Sequence, residues 1–363
     1  MVSAINLRSG GTLSILKDCL GYLSGNLSHK YNIVALVHNE KLINVKNVTY
    51  YEFPDSIKSY LKRMYYEYIY FRRFSKKINP HLWLSLHDIT PNVQSEILAV
   101  YCHNSSPFYN LSIKEALMEI KFAFFKFFYK YLYQINIKKN DFVIVQQDWL
   151  RNEFRKMFNI SNIIVAHPDI SFDYTMTTNN SNLIKKNKFN FFYPSFPRIF
   201  KNFEIICEAV KIINDKGIDN FEVYLTIKGT ENKYSKYIYN KYNKLKPLKF
   251  IGIQTREKIY QYYEEVDCLI FPSKLETWGL PIHEFKHFHK PILLANARYA
   301  PETIGEYDKV KFFDPANALE LSNFMRLIIN SDLTYDKTKP IDIEPPFSKN
   351  WRDLFDILLR GEG

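Results

Sequence analysis

A chain of 363 residues exceeds the ~250–300 over which a single hydrophobic core keeps growing, so two domains are expected. With 46% hydrophobic and 24% charged residues it can bury a large core, which excludes the disordered, collagen-like and fibrous classes. The net charge of +11 is concentrated early, with 21 Lys and Arg against 13 Asp and Glu in residues 1–170 and 28 against 25 in the remainder, so the first half is expected to meet an anionic partner.

In chain order, short β-branched and apolar runs alternate with longer amphipathic segments, the pattern of βαβ units. Strands are predicted at Val2–Leu7, Tyr31–Val37, Leu82–Leu86, Ile97–Cys102 and Phe142–Gln146, and helices at Thr12–Ser24, Ile57–Lys77, Lys114–Ile137 and Asp148–Phe158. A polar stretch, Ser171–Lys188, reads as a linker. Strands then recur at Phe189–Tyr193, Glu222–Lys228, Leu248–Ile251, Asp267–Phe271 and Ile292–Ala295, with helices at Glu204–Lys216, Tyr234–Lys244, Arg256–Glu264 and Ile282–His289. An irregular tail leads to a terminal amphipathic helix, Trp351–Leu359. The expected organisation is α/β, with one domain over 1–170, a linker over 171–188, a second domain over 189–335 and a tail over 336–363.

The longest apolar stretch, Phe122–Tyr133, is interrupted by Lys126 and Lys130 and falls short of the ~20 residues a membrane span requires. The first residues lack a basic, apolar and small-residue leader, so a cytoplasmic location is expected. Cys19, Cys102, Cys207 and Cys268 form no CxxC pair, which argues for reduced thiols rather than a disulfide framework or zinc cluster.

The strongest local signal is Phe271-Pro272-Ser273-Lys274-Leu275-Glu276-Thr277-Trp278-Gly279-Leu280-Pro281-Ile282-His283-Glu284, where a buried-type strand enters a Gly-containing loop and a helix starts near Pro281. Backbone N–H groups in such a turn suit a phosphate, and the two flanking carboxylates suit polyol hydroxyls. Taken alone, Glu276 is equally a solvated loop residue and Glu284 a helix-dipole partner. Upstream, Arg198 and Lys201 leave the first strand of the second half at a spacing that lets both reach one anion, or that leaves both in solvent. Positive charge at a helix start opposes the dipole, which favours the anion. His87 and His103-Asn104 follow strands, at the carboxyl edge where α/β sheets place ligands, although loop or capping roles are open to both histidines. Asp88 is followed by Ile89 and Thr90, so it lacks the second carboxylate of a DxD metal motif.

Glu276, seven intervening residues and Glu284, with Gly279-Leu280-Pro281 between them, resemble the EX7E signature of the retaining GT-B glycosyltransferases of family 4. Phe250-Ile251-Gly252-Ile253, Pro291–Ala295 and Pro301–Gly305 extend the resemblance over about residues 189–330. Trp278 stands where Phe is commoner and Thr277 where Gly is common, and Arg-x-x-Lys-Asn at Arg198–Asn202 is a variant spacing. The resemblance implies a GT-B fold of two Rossmann-like domains facing a cleft, with the terminal helix crossing back to the first. It implies a nucleotide-sugar donor bound by Gly10, Gly11, Arg198, Lys201, Gly229, Ile253, Thr277, Trp278, Gly279, Leu280 and Glu284, with His103 and Glu276 beside the reacting sugar and His87 and Asn104 on the acceptor side. It further implies retaining, metal-independent transfer without a cofactor, the nucleotide sugar being a substrate.

Two helices, Ser56–Lys77 and Lys114–Lys139, mix basic residues with Tyr and Phe as interfacial helices do, so an anionic membrane surface and a glycan or polyprenyl-linked acceptor in surface-polysaccharide synthesis are expected. No RRM, KH, helix-turn-helix or zinc signature supports nucleic acid. The competing readings are a nucleotide-sugar epimerase or hydrolase of the same fold, and a non-catalytic, anion-binding peripheral membrane protein.

Overall fold

The computed structural model describes residues 1–8, 10–168, 183–184 and 187–360. The expected linker lies almost wholly outside the described residues. Strands follow the chain as β1 (Val2–Ala4), β2 (Val34–Val37), β3 (Thr49–Glu52), β4 (Leu82–Ser85), β5 (Ile97–Cys102), β6 (Phe142–Val145), β7 (Ile163–Ala166), β8 (Phe189–Tyr193), β9 (Phe221–Leu225), β10 (Leu248–Phe250), β11 (Cys268–Phe271), β12 (Ile292–Ala295), β13 (Val310–Phe313) and β14 (Phe347–Ser348). Among the described residues they form two sheets, one of eight strands in the order β14-β7-β6-β5-β4-β1-β2-β3 and one of six in the order β10-β9-β8-β11-β12-β13. Every pairing between named strands is parallel.

The central strands of both sheets, such as Ile97–Cys102 and Cys268–Phe271, are buried along their whole length. That burial is why they read as unbroken apolar runs rather than alternating ones. Edge strand β3, Thr-Tyr-Tyr-Glu, is largely exposed and carries no such run, and sequence reading passes over it. It also passes over β7, β13 and β14.

The chain divides into two compact units. The first comprises the described residues of 1–108, 125–170 and 342–363, and the second those of 109–124 and 171–341. The terminal helix Trp351–Leu358 belongs to the first unit, where Trp351, Leu354, Phe355 and Leu358 enter a core shared with Ile15, Leu16, Leu20 and Leu23. Phe355 stacks on Tyr22 with ring centroids 5.7 Å apart. Burying such side chains contributes at most ~1.5–3 kcal/mol each, which is ample to hold an eight-residue helix that is too short to persist alone.

Two predicted helices are interrupted. Ser59 caps Tyr60–Tyr65, a π-helical turn follows at Tyr66–Tyr70, and the α-helix resumes over Phe71–Ile78. Farther on, Ile113–Met118 opens on a Ser112–Glu115 capping box and ends at Glu119 in a non-helical conformation before Ile120–Gln134 begins. Along the latter helix Phe122, Tyr129 and Tyr133 are buried while Phe124, Phe127, Phe128 and Tyr131 are exposed. That helix therefore presents an outward aromatic face. All four cysteines are buried and free. Among the described residues, no helix is long and apolar enough to cross a membrane.

Candidate active site

In the second unit the chain builds β8, β9 and β10 toward one edge and β11, β12 and β13 toward the other, so the topological switch falls between β8 and β11. Loops leaving the carboxyl ends of neighbouring strands diverge at such a point and leave a crevice for a ligand. Arg198 and Lys201 follow β8, and the Glu276–Glu284 segment follows β11. Residues Ile199–Lys201 form a 3-10 turn, and the helix proper starts at Phe203 after Asn202 in the left-handed region at φ 58°. Asn202 donates from Nδ2 to the carbonyls of Pro272, at 3.2 Å, and Pro315, at 2.8 Å, tying the β8 loop to the signature loop.

That tie brings Lys201 Nζ to 2.5 Å from Glu276 Oε1, the side chains being 18% and 12% exposed. Arg198 is solvent-exposed and lies over the Phe196 ring. Its charge opposes the rise in the Glu119 carboxyl pKa that burial causes. Residues 109–124 flank the same loops from within this unit. Tyr109 and Phe122 meet the Phe200 ring, and Glu115 reaches Lys274 at 3.3 Å.

Gly279 caps the helix Leu280–Lys286 at φ 93°, and a Cβ there would stand 3.0 Å from Ile282 Cδ1. Only glycine suits this turn. Thr277 and Leu280 are half-buried beside it, Trp278 is buried, and the Thr303 hydroxyl donates to the Trp278 carbonyl. Glu284, on the same helix, accepts from the Tyr263 hydroxyl at 3.2 Å and faces Arg256 at 3.4 Å. Burial raises its pKa, opposed by the Arg256 charge and by the Tyr263 and Tyr260 hydroxyls. Gly229, after β9, has φ 87°, and its backbone N–H donates to Glu231. Ile253, after β10, is exposed.

In the first unit the switch falls between β1 and β4. Gly10, at φ 69° and with open space where a Cβ would stand, and Gly11 begin the helix Gly10–Asn26 that follows β1. The expectation that His87 lines an acceptor surface is corrected by its surroundings. His87 is fully buried, with Nδ1 2.8 Å from Asn6 Oδ1 and Nε2 2.9 Å from buried Glu67, while Arg63 donates to its carbonyl. Both ring nitrogens are engaged inside the protein, so the residue is a structural hub.

His103 and Asn104 follow β5 and are half-buried. The His103 ring stacks on Tyr101, with centroids 4.4 Å apart and planes 16° from parallel. Burial lowers its pKa, and the Asp88 carboxylate opposes that. The Leu86 carbonyl also favours the charged ring, yet neither ring nitrogen makes a hydrogen bond of good geometry. Sequence reading missed Arg256, Tyr263, Glu67, Arg63, Tyr129 and Tyr133. Each acts through a contact 15 or more residues away, for which a single sequence carries no local signal.

Two parallel-sheet α/β units, each with its loops gathered at a switch point, are the architecture shared by a group of solved structures. The fold is GT-B. Residues 176–341 match the family model described as glycosyl transferases group 1. No curated protein matches the chain in sequence. Among solved structures, Anabaena Alr3699/HepE in complex with UDP-glucose superposes with a TM-score of 0.61 at 15% identity, over 91% of this chain and 88% of that one. The lipopolysaccharide outer core galactosyltransferase WaaB gives 0.61 at 12%, over 92% and 91%. TarM gives 0.53 at 13% over 72% of this chain, which spans about half, 51%, of TarM. Together these findings show the GT-B fold and match the second unit to the glycosyl transferases group 1 model.

Proposed function

We propose that this GT-B chain is a retaining, metal-independent glycosyltransferase of family 4 that moves a sugar from a nucleotide-sugar donor to a glycan acceptor. The observation that carries the reading is the contact between Lys201 and Glu276 at the switch point of the second sheet, with Glu284 on the adjoining helix. These are the three residue types a nucleotide sugar requires: a cation for the diphosphate, a carboxylate for the sugar hydroxyls and a carboxylate for the ribose. The complex of the structurally similar HepE with UDP-glucose supports a uridine donor.

In this reading the diphosphate is the leaving group. Lys201 and Arg198 offset its growing charge, Glu276 orients Lys201 and holds the transferred sugar, and Glu284 holds the ribose. His103 is read as a group beside the reacting sugar and Asn104 as a group on the acceptor side, both half-buried at the carboxyl edge of the first sheet. The departing diphosphate takes the acceptor proton on the face from which it leaves, giving retention through an oxocarbenium-like transition state. The protein's contribution is positioning and electrostatic stabilisation.

A lipid-linked acceptor in cell-surface polysaccharide synthesis, reached from the cytoplasmic leaflet, is supported by exposed aromatic side chains set among lysines. Phe124 is 63% and Phe127 65% exposed, close to exposed Lys121 and Lys130. The test is binding and turnover of UDP-, GDP-, dTDP- and ADP-sugars with the anomeric configuration of the product determined, in EDTA and with added Mg²⁺. One nucleotide class should bind and turn over with retention in EDTA. Inversion, or activity restored only by metal, would overturn the corresponding part of the reading.

A further inference from the structure

Asp88 lies three residues beyond β4 and holds φ 76°, a left-handed conformation that is uncommon outside glycine. Its backbone N–H donates to Tyr101 O at 3.2 Å, on neighbouring β5. Its carboxylate reaches past the end of the same strand. Oδ1 accepts from the backbone N–H of His103, at 2.5 Å, and of Asn104, at 3.1 Å, and Oδ2 accepts from the Tyr129 hydroxyl at 2.7 Å. The Tyr133 hydroxyl stands 3.1 Å from Oδ1 and 3.0 Å from Asn104 O, which share its one proton. Tyr129 and Tyr133 come from one face of the helix Ile120–Gln134, and burial together with the Asp88 charge raises both phenol pKa values well above normal, so both remain donors. One carboxylate thereby joins the β4 loop, the β5 loop and a helix.

We propose that Asp88 is a positioning residue, which acts through His103 by fixing the main chain of His103 and Asn104 at the carboxyl edge of the first sheet. The inference rests on the reading of His103 as a group beside the transferred sugar. The His103 ring is clamped on its other side by the Tyr101 stack, and the Tyr101 hydroxyl is itself bound to Ala166 O at 3.2 Å. Backbone anchorage by Asp88 and ring anchorage by Tyr101 leave His103 little freedom to drift. Glycine would satisfy φ 76° with less strain, so what an aspartate adds at this point is the carboxylate. The charged and titratable groups facing His103 are Asp88, whose charge favours the imidazolium, and His87, whose charge disfavours it.

The test compares Asp88→Gly, which keeps the backbone conformation and removes the carboxylate, with Asp88→Asn, which keeps one oxygen for the two N–H donors. Turnover is measured with whichever of UDP-, GDP-, dTDP- and ADP-glucose supports it, and affinity with the matching nucleoside diphosphate. Misplacement by about 1 Å lowers turnover by up to ~100-fold, so Asp88→Gly should lose roughly 10- to 100-fold in kcat and Asp88→Asn less, with nucleotide affinity within about twofold of wild type. Both variants should lower the His103 imidazole pKa measured by NMR, because both remove the negative charge. In a His103→Ala background Asp88→Gly should cost nothing further. Wild-type kcat in folded Asp88→Gly, an unchanged His103 titration in both variants, or an undiminished cost in the His103→Ala background would each overturn the proposal. If Asp88→Gly does not fold, Asp88→Asn carries the same three readouts. Full activity of His103→Ala alone would instead refute the reading of His103, and the NMR titration would still report whether Asp88 governs that ring.

Discussion

Replacing Lys201 by Ala separates the two jobs assigned to its ammonium. In the free protein it neutralises Glu276 at 2.5 Å, with both side chains mostly buried. Removing it leaves a carboxylate without its countercharge, at a cost of about 1–3 kcal/mol, or roughly 2–12 °C in Tm for a domain of this size. In the transition state the same ammonium faces the charge growing on the diphosphate. Loss of one such donor in a partly desolvated site costs ~2–4 kcal/mol, which at about 1.36 kcal/mol per decade is roughly 30- to 900-fold in kcat/KM. Glu276→Gln added to Lys201→Ala removes the orphaned charge, so the double variant should regain stability while turnover stays low. The assays are thermal unfolding and steady-state transfer on the same preparations. Unchanged kcat/KM in Lys201→Ala, or activity that returns together with stability in the double variant, would refute the assignment.

Burial raises the Glu284 pKa, so the folded protein holds that proton more tightly than the unfolded chain does, and the stability linked to it is present below the ordinary value of 4.5 and is lost as pH rises. Glu284→Gln should therefore raise Tm near pH 7, with a gain that shrinks as pH falls toward 4.5, while nucleotide affinity drops; a gain independent of pH would contradict this. At Gly229 an added Cβ would stand 2.7 Å from Tyr239 Cβ at φ 87°, so urea unfolding of Gly229→Ala should show a loss of about 2–5 kcal/mol, against ~1–2 for Gly10→Ala, where the space is open. Equal losses at the two glycines would sink that comparison. Sedimentation with vesicles of anionic lipid should exceed that with neutral vesicles, and should weaken when Arg72, Arg73, Lys76 and Lys77 become Ser, since each basic residue near such a surface contributes on the order of 1 kcal/mol. Phe124→Ser with Phe127→Ser should remove the part of binding that survives high salt. Indifference to lipid charge at low salt would end the membrane proposal and leave the transferase reading intact.

What the sequence determined by itself was the local part of this molecule. Strands such as Ile97–Cys102 and Ile292–Ala295 were legible because a strand buried on both faces must be apolar throughout, and Asp148–Phe158 because its apolar residues recur at the helical period. The Glu276–Glu284 segment was legible because both carboxylates and the glycine between them lie on one loop and one helical turn, where spacing along the chain is nearly spacing in space. Tertiary structure alone decided the rest. It set β3 and β14 at sheet edges, where pairing to a neighbour replaces intrinsic preference, and returned the terminal helix to the first unit. It paired Lys201 with Glu276 across 75 positions and buried His87 against Glu67. It also turned Asp88, which by sequence is only a carboxylate lacking a metal-binding partner, into the anchor for His103, Asn104 and Tyr129. These contacts depend on which strands lie side by side, and strand order follows from the packing of whole βαβ units, to which no short stretch of sequence is sensitive.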